Sequence, residues 1–147
     1  MKKSLSIFIF LAGIFLFFSK EGITQNIPQR LLVFDRSLSE YQTLSSTKSG
    51  DGQVLILPAS GNPLEQIRIA LSKKKYDEIH IYTNVKHGSA VFNSLALTSN
   101  EILAQKSLLA TFKDLVSVSG QIIIHGDPGS EWLSLLKTVS GIDVVSE

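Results

Sequence analysis

The fold of this chain is decided by two stretches, EIHIYTN at positions 78–84 and QIIIHGD at positions 121–127. Each is a short run rich in isoleucine that ends in polar residues. Such runs are typical of buried strands in parallel sheets. In an open α/β sheet, chemistry gathers just beyond the carboxyl ends of the strands. The side chains that follow the two runs, Asn84 and Asp127, are therefore the first candidates for a functional site.

Strand and helix patterns alternate along the rest of the chain. Further apolar runs lie at 31–34, 54–57 and 142–145, and we expect these strands to be buried on both faces. Helical spacing of apolar residues predicts a short helix near Tyr41, one opened by Pro63, a long one over about 100–118 and a last one over about 130–139. This order predicts an α/β three-layer sandwich with a mainly parallel sheet and right-handed crossovers.

One stretch breaks the alternation, because residues 88–97 are too few for a crossover helix. Two short apolar pieces flank Asn93-Ser94 there, which predicts a β-hairpin directly after the third strand.

The N-terminus has the layout of a secretory signal peptide: Lys2-Lys3, an apolar run over 5–18, then polar residues. The run is about 14 residues long, shorter than the roughly 20 that a membrane-spanning helix needs. We expect a signal peptide at 1–24, cleaved near Thr24, and a single domain at 25–147. The mature domain is then secreted, periplasmic or at the cell surface. An uncleaved N-terminal anchor is the alternative.

Composition narrows the classes of function. The chain has no cysteine, which excludes disulfides, a thiol nucleophile and a lipid-anchored N-terminus. Its formal net charge is +1, and no basic patch suggests nucleic acid. We expect no cofactor, no nucleic-acid partner and no membrane span in the mature chain. The expected partner is a protein or surface ligand that the sequence does not identify.

The ordered series of elements resembles a known family. It runs from a strand ending in Asp35, through a Gly-x-x-x-x-Gln-Ile helix start at 61–67, to the hairpin and a closing Gly-Ile-Asp-Val at 141–144. In these features the chain, from Leu31 to about Ser146, resembles a bacterial domain of unknown function with a caspase-like fold. That family is found at the head of large surface proteins built from adhesin-type repeats. The resemblance also allows this chain to be an anchored remnant of a larger surface protein.

The resemblance implies a catalytic pair that this chain lacks. In its register the family's His-Gly falls on Asn84-Val85, and its Gly-Cys falls on Gly126-Asp127. An asparagine cannot accept a proton near neutral pH, and hydrolysis of this type needs a thiol. We therefore expect a pseudoenzyme with no catalytic and no metal-binding residues, acting as a binding or interaction module of the cell envelope.

The alternative is a hydrolase that uses other residues at the same cleft, with His87, His125 and Asp127 as candidates. A shifted register would make His87-Gly88 the family's His-Gly. A His125–Asp127 pair would supply two metal ligands, fewer than a zinc site uses. Asp127 is also expected to cap the next helix, with Pro128 in its first turn. His80, in mid-strand, is expected to be a core or sheet-face residue.

Overall fold

The computed structural model of the chain describes residues 27–93 and 95–147. The predicted signal peptide, its cleavage near Thr24 and residue Ser94 of the predicted turn lie outside these residues. Along the described chain the strands are β1 (Arg30–Asp35), β2 (Gln53–Leu57), β3 (Glu78–Tyr82), β4 (Asn84–Lys86), β5 (Ser89–Phe92), β6 (Leu95–Leu97), β7 (Gln121–His125) and β8 (Asp143–Ser146). The helices are α1 (Tyr41–Lys48), α2 (Pro63–Lys73), α3 (Ser99–Ala104), α4 (Lys106–Ala110), α5 (Phe112–Leu115) and α6 (Ser130–Ser140).

A five-stranded parallel sheet in the order β2-β1-β3-β7-β8 forms the centre of the fold. The predicted parallel strands are confirmed, and β3 and β7 are neighbours. In this register Tyr82 lies opposite Phe34 on one side and His125 on the other. Phe34, one residue before the end of β1, therefore stands in one row across the sheet with the last residues of β3 and β7.

Helices flank both faces, but unequally. One face packs against apolar side chains of α2 through α6 and holds the main core. The other face packs only against α1 and the loop before it, around Leu32, Phe34 and Tyr82. The three-layer α/β architecture is confirmed. The expectation of strands buried on both faces is confirmed for β1 and for the apolar run of β7. It is wrong for β2 and β3, because Ile56 of β2 is 38% exposed and Glu78 and His80 of β3 are only partly buried.

The long helix predicted over 100–118 is divided into the three short helices α3, α4 and α5. Thr98 caps α3 by accepting a hydrogen bond from the Glu101 amide. The helical path stops first at Gln105. It stops again at Thr111, whose hydroxyl donates to the carbonyl of Leu108. The amide of Thr111 also bonds the carbonyl of Leu108, three residues back instead of four, so the α-helical ladder is interrupted there.

The predicted hairpin is confirmed as the antiparallel pair β5–β6. The sequence did not predict β4, which adds a third strand and makes a separate small antiparallel sheet. The indole N–H of Trp132 in α6 donates to the carbonyl of Leu97, so this small sheet is tied to the last helix. Among the described residues, no helix is long and apolar enough to cross a membrane.

Candidate functional site

Two places in the fold gather polar side chains. The first is the strand-end edge, formed by Asp35 and by the residues just beyond the carboxyl ends of β1, β3 and β7. The second is the open face, the part of the sheet that α1 leaves uncovered, with the side chains of Arg30, Glu78, His80, Gln121, His125 and Glu147. The sequence predicted candidate residues at the strand-end edge. On the open face it predicted only His125 as a candidate.

At the strand-end edge, Asn84 is occupied by a structural contact. Its side-chain amide donates to both the carbonyl and the hydroxyl of Ser37, each at 3.2 Å. Ser37 follows β1, so these contacts tie the end of β3 to the loop that follows β1. The side chain of Asn84 thus points toward the loop that follows β1.

Asp127 closes a local turn and does not cap a helix, contrary to the prediction. Its carboxylate accepts a hydrogen bond from the Gly129 amide at 2.9 Å. Helix α6 begins at Ser130, its N-cap is Gly129, and that cap makes no side-chain hydrogen bond. Pro128 therefore also lies before the helix. A carboxylate that bonds the amide two residues ahead forms an Asx turn, which competes with the capping role.

The gap between the ends of β3 and β7 is filled by Val85. Gly126 adopts a φ of 133°, a conformation that residues with a side chain rarely take. A Cβ built on Gly126 would lie 2.8 Å from Cγ2 of Val85. Val85 and Gly126 therefore pack in direct contact just beyond the ends of β3 and β7.

His87, the other candidate at this edge, lies in the turn between β4 and β5. It is exposed and adopts a φ of 50°. Histidine is one of the residues that visit this left-handed region more often than most. The conformation explains a histidine in the turn without any catalytic role.

Asp35 is the most buried carboxylate of this edge, with no exposed surface. Its two oxygens accept hydrogen bonds from the amides of Ser37, at 2.7 Å, and Asn93, at 2.6 Å. Both bonds stabilise loops: one after β1 and one at the end of β5. Asp35 is thus a structural anchor between the two sheets.

On the open face, three aromatic rings form a continuous stack. Phe34 and Tyr82 lie with ring centroids 4.6 Å apart, and Tyr82 and His125 lie 3.9 Å apart, with nearly parallel planes in both pairs. The parallel register creates this row, since the three residues are direct partners on adjacent strands. The stack holds the imidazole of His125 at a defined position.

A chain of polar contacts runs beside this stack. Nδ1 of His80 lies 3.0 Å from Nε2 of His125, and Nε2 of His80 lies 3.1 Å from the carboxylate of Glu78. The same Glu78 oxygen accepts a hydrogen bond from Arg30 at 2.6 Å. Burial acts to raise the pKa of Glu78, but the hydrogen bonds from Arg30 and His80 outweigh it, so the pKa lies below its ordinary value. Glu78 is therefore a carboxylate at neutral pH.

His125 and Glu147 complete the site at its β8 side. Burial lowers the pKa of His125, and the neighbouring His80 lowers it further, so this imidazole is neutral at neutral pH. Within the described residues, one group of three metal-ligating side chains lies together, formed by His80, His125 and Glu147 with their ligand atoms within 4.8 Å of one another. A cavity of about 300 Å³ opens over them.

The structure thus separates the residues that the sequence grouped. His125 lies with His80 on the open face, while Asp127 is engaged in its own turn and His87 in another. His80 is a sheet-face residue, one of the two alternatives predicted for it. Its role beside His125 was missed, although a signal existed: Glu78, His80 and Tyr82 alternate with isoleucines, so they share one face of β3.

Comparison with known proteins places the chain in a family. A search of curated proteins and of solved structures found no match. A family model described as "Domain of unknown function (DUF4347)" matches residues 31–147, which is most of the chain. The chain therefore belongs to this family of domains of unknown function.

Proposed function

We propose that this chain is an exported, non-catalytic domain of caspase-like architecture that acts by binding within the cell envelope. One observation carries the proposal: the polar side chains of the strand-end edge are engaged in internal hydrogen bonds. Asn84 bonds Ser37, Asp127 bonds Gly129, and Asp35 bonds two loop amides. Side chains engaged in this way are not available to act on a substrate, as expected of a non-catalytic domain.

The hydroxyl of Ser37, which contacts Asn84, supports the same conclusion. Ser37 Oγ accepts its hydrogen bond from the amide of Asn84. Activation of a hydroxyl needs a neighbouring base that takes its proton, and an amide nitrogen cannot do so. Ser37 therefore lacks the partner that a serine nucleophile requires at this edge.

The alternative function, a hydrolase built from other residues of the cleft, draws on one observation. His125 lies in a cavity beside His80 and Glu147, an arrangement that has room for a small ligand. His87 and Asp127, the other candidates, contribute no ligand atom to this group. The alternative thus depends on the open face and not on the strand-end edge.

An activity assay separates the two functions. The purified protein is incubated with a library of peptides and ester substrates, once with a chelator and once with added Zn²⁺. We expect no turnover under either condition, and no difference between the native chain and the Ser37→Ala and Asp127→Ala variants. Turnover that disappears in His125→Ala, with the fold retained, would overturn the proposal and favour the hydrolase.

Export has its own test, because it depends on the N-terminal pattern of residues 1–24. N-terminal sequencing of the protein recovered outside the cytoplasm is expected to begin at Gln25 or a close neighbour. Retention of the full chain in the cytoplasm, starting at Met1, would contradict it.

A further inference from the structure

We propose that His80, His125 and Glu147 form a binding site for a divalent transition-metal ion, with Zn²⁺ as the probe ion. The site lies on the open face, away from the strand-end edge. It is independent of whether the domain has a catalytic function.

The spacing of the donor atoms fits such an ion. Nδ1 of His80 and Nε2 of His125 lie 3.0 Å apart, and the Glu147 oxygen completes a set within 4.8 Å. Two nitrogens bound tetrahedrally to zinc, each about 2.0–2.1 Å from it, lie roughly 3.3 Å apart. The two imidazoles therefore need only a small adjustment to share one ion.

The orientation of His80 is set by a carboxylate behind it. Nε2 of His80 faces Glu78, which Arg30 holds in turn. The Nε2–H therefore donates to Glu78, and the lone pair of Nδ1 points toward His125. Metal-binding histidines commonly donate their second ring N–H to a carboxylate, which fixes the tautomer and makes the ring a better ligand.

The ring of His125 and the main chain of Glu147 are also held in place before any ion binds. The ring of His125 stacks on Tyr82 at 3.9 Å with a 5° angle between the planes. The main chain of Glu147 makes two hydrogen bonds with β7: its amide donates to Ile124, and its carbonyl accepts from Gly126, both at 2.9 Å. The two histidines, held on paired strands, therefore lose little rotamer entropy when the ion binds.

The donor set selects the class of ion. Two imidazoles and one carboxylate suit zinc and its transition-metal neighbours, whereas calcium and magnesium prefer oxygen ligands only. Three protein ligands leave a fourth position for water or a ligand atom, and the cavity of about 300 Å³ gives it room. Lys48 also lines this cavity, and Asp51 and Glu78 offset its charge there.

Titration calorimetry on the chelator-treated chain, carried without a histidine tag, tests the proposal. We expect one Zn²⁺ per chain and a melting temperature that rises with the concentration of Zn²⁺. His80→Ala and His125→Ala are expected to weaken binding at least tenfold. Glu78→Gln, which changes only the carboxylate behind His80, is expected to weaken it about tenfold. The matched control is His87→Ala, which removes an exposed histidine outside the group and should leave binding unchanged.

The outcomes are distinct. Circular dichroism of each variant identifies any loss of fold, and Co²⁺ absorption of the native chain is expected to have the intensity of a tetrahedral site. Binding that persists in a folded His80→Ala/His125→Ala double variant, or no binding by the native chain at micromolar Zn²⁺, would overturn the metal site. Zn²⁺-dependent hydrolysis lost in His125→Ala would instead support the site and overturn the non-catalytic proposal.

Discussion

The two faces of the central sheet are built from the same strands and have opposite characters. In β3, Ile79 and Ile81 point into the core that α2 through α6 cover, and both are at most 5% exposed. Glu78, His80 and Tyr82 alternate with them on the open face. A strand that alternates in this way places apolar side chains in the core on one face and polar side chains that can bind a ligand on the other.

The difference between the faces is also one of energy. Full burial of an isoleucine side chain contributes about 1.5–3 kcal/mol. A hydrogen bond such as that between His80 and Glu78 contributes a net of about 1 kcal/mol. The core face thus supplies most of the stability, which leaves the open face free to keep polar residues that bind.

The largest expected effect contrasts neighbours on β3. Ile79→Ala leaves a cavity in the core and is expected to lower the free energy of unfolding by about 2–5 kcal/mol. His80→Ala removes contacts on the open face and is expected to cost about 1 kcal/mol. Urea unfolding in chelator measures both. Equal costs would show that the open face contributes as much to stability as the core.

The next effect contrasts two aspartates that each bond the amide two residues ahead. Asp35 is fully buried and also bonds the Asn93 amide, so Asp35→Ala is expected to cost about 2 kcal/mol. Asp127 is exposed, and Asp127→Ala should cost about 0.5 kcal/mol or less. Thermal unfolding of the two variants checks this order. A larger loss of stability in Asp127→Ala than in Asp35→Ala would support the helix-capping role that the sequence predicted for Asp127.

A third test addresses the filled gap at the strand-end edge. Gly126→Ala is expected to cost about 1.5 kcal/mol, because its Cβ would strike Val85 and its φ of 133° disfavours a side chain. Val85→Ala should recover the steric part of this cost but not the backbone part. The effects of Gly126→Ala and Val85→Ala on the free energy of unfolding are added and compared with that of the double variant. If the double variant is no more stable than this sum predicts, Val85 does not fill the gap.

The smallest effect concerns acid stability. Glu78 has a pKa below its ordinary value of 4.5, so it contributes stability above that pH and loses it as the pH falls through the folded-state pKa. Glu78→Gln should therefore cost about 1 kcal/mol or less at pH 7, and the difference should shrink below pH 4.5. Glu65→Gln is the control, since the pKa of Glu65 is also lowered, by Arg68, but at the exposed surface. If Glu78→Gln lowered the free energy of unfolding equally at every pH, the lowered pKa of Glu78 in the folded state would be contradicted.

Several features of the fold could be predicted because they depend on local pattern. The apolar runs identified the parallel strands, Pro63 opens α2, and two short pieces around Asn93 form a hairpin. Other features could not, because they depend on local competition. Whether helix 100–118 continues past Gln105 and Thr111, or Asp127 caps α6, is decided between hydrogen-bond partners of similar strength.

The sequence by itself determined that this is a parallel α/β domain without a cysteine. Only the tertiary structure decided where the histidines meet. His80 and His125 are 45 residues apart, and they face each other because β3 and β7 pair in one particular register. A shift of that register by one residue would turn His125 to the opposite face. The site on the open face therefore depends on strand pairing, which the chemistry of single residues does not encode.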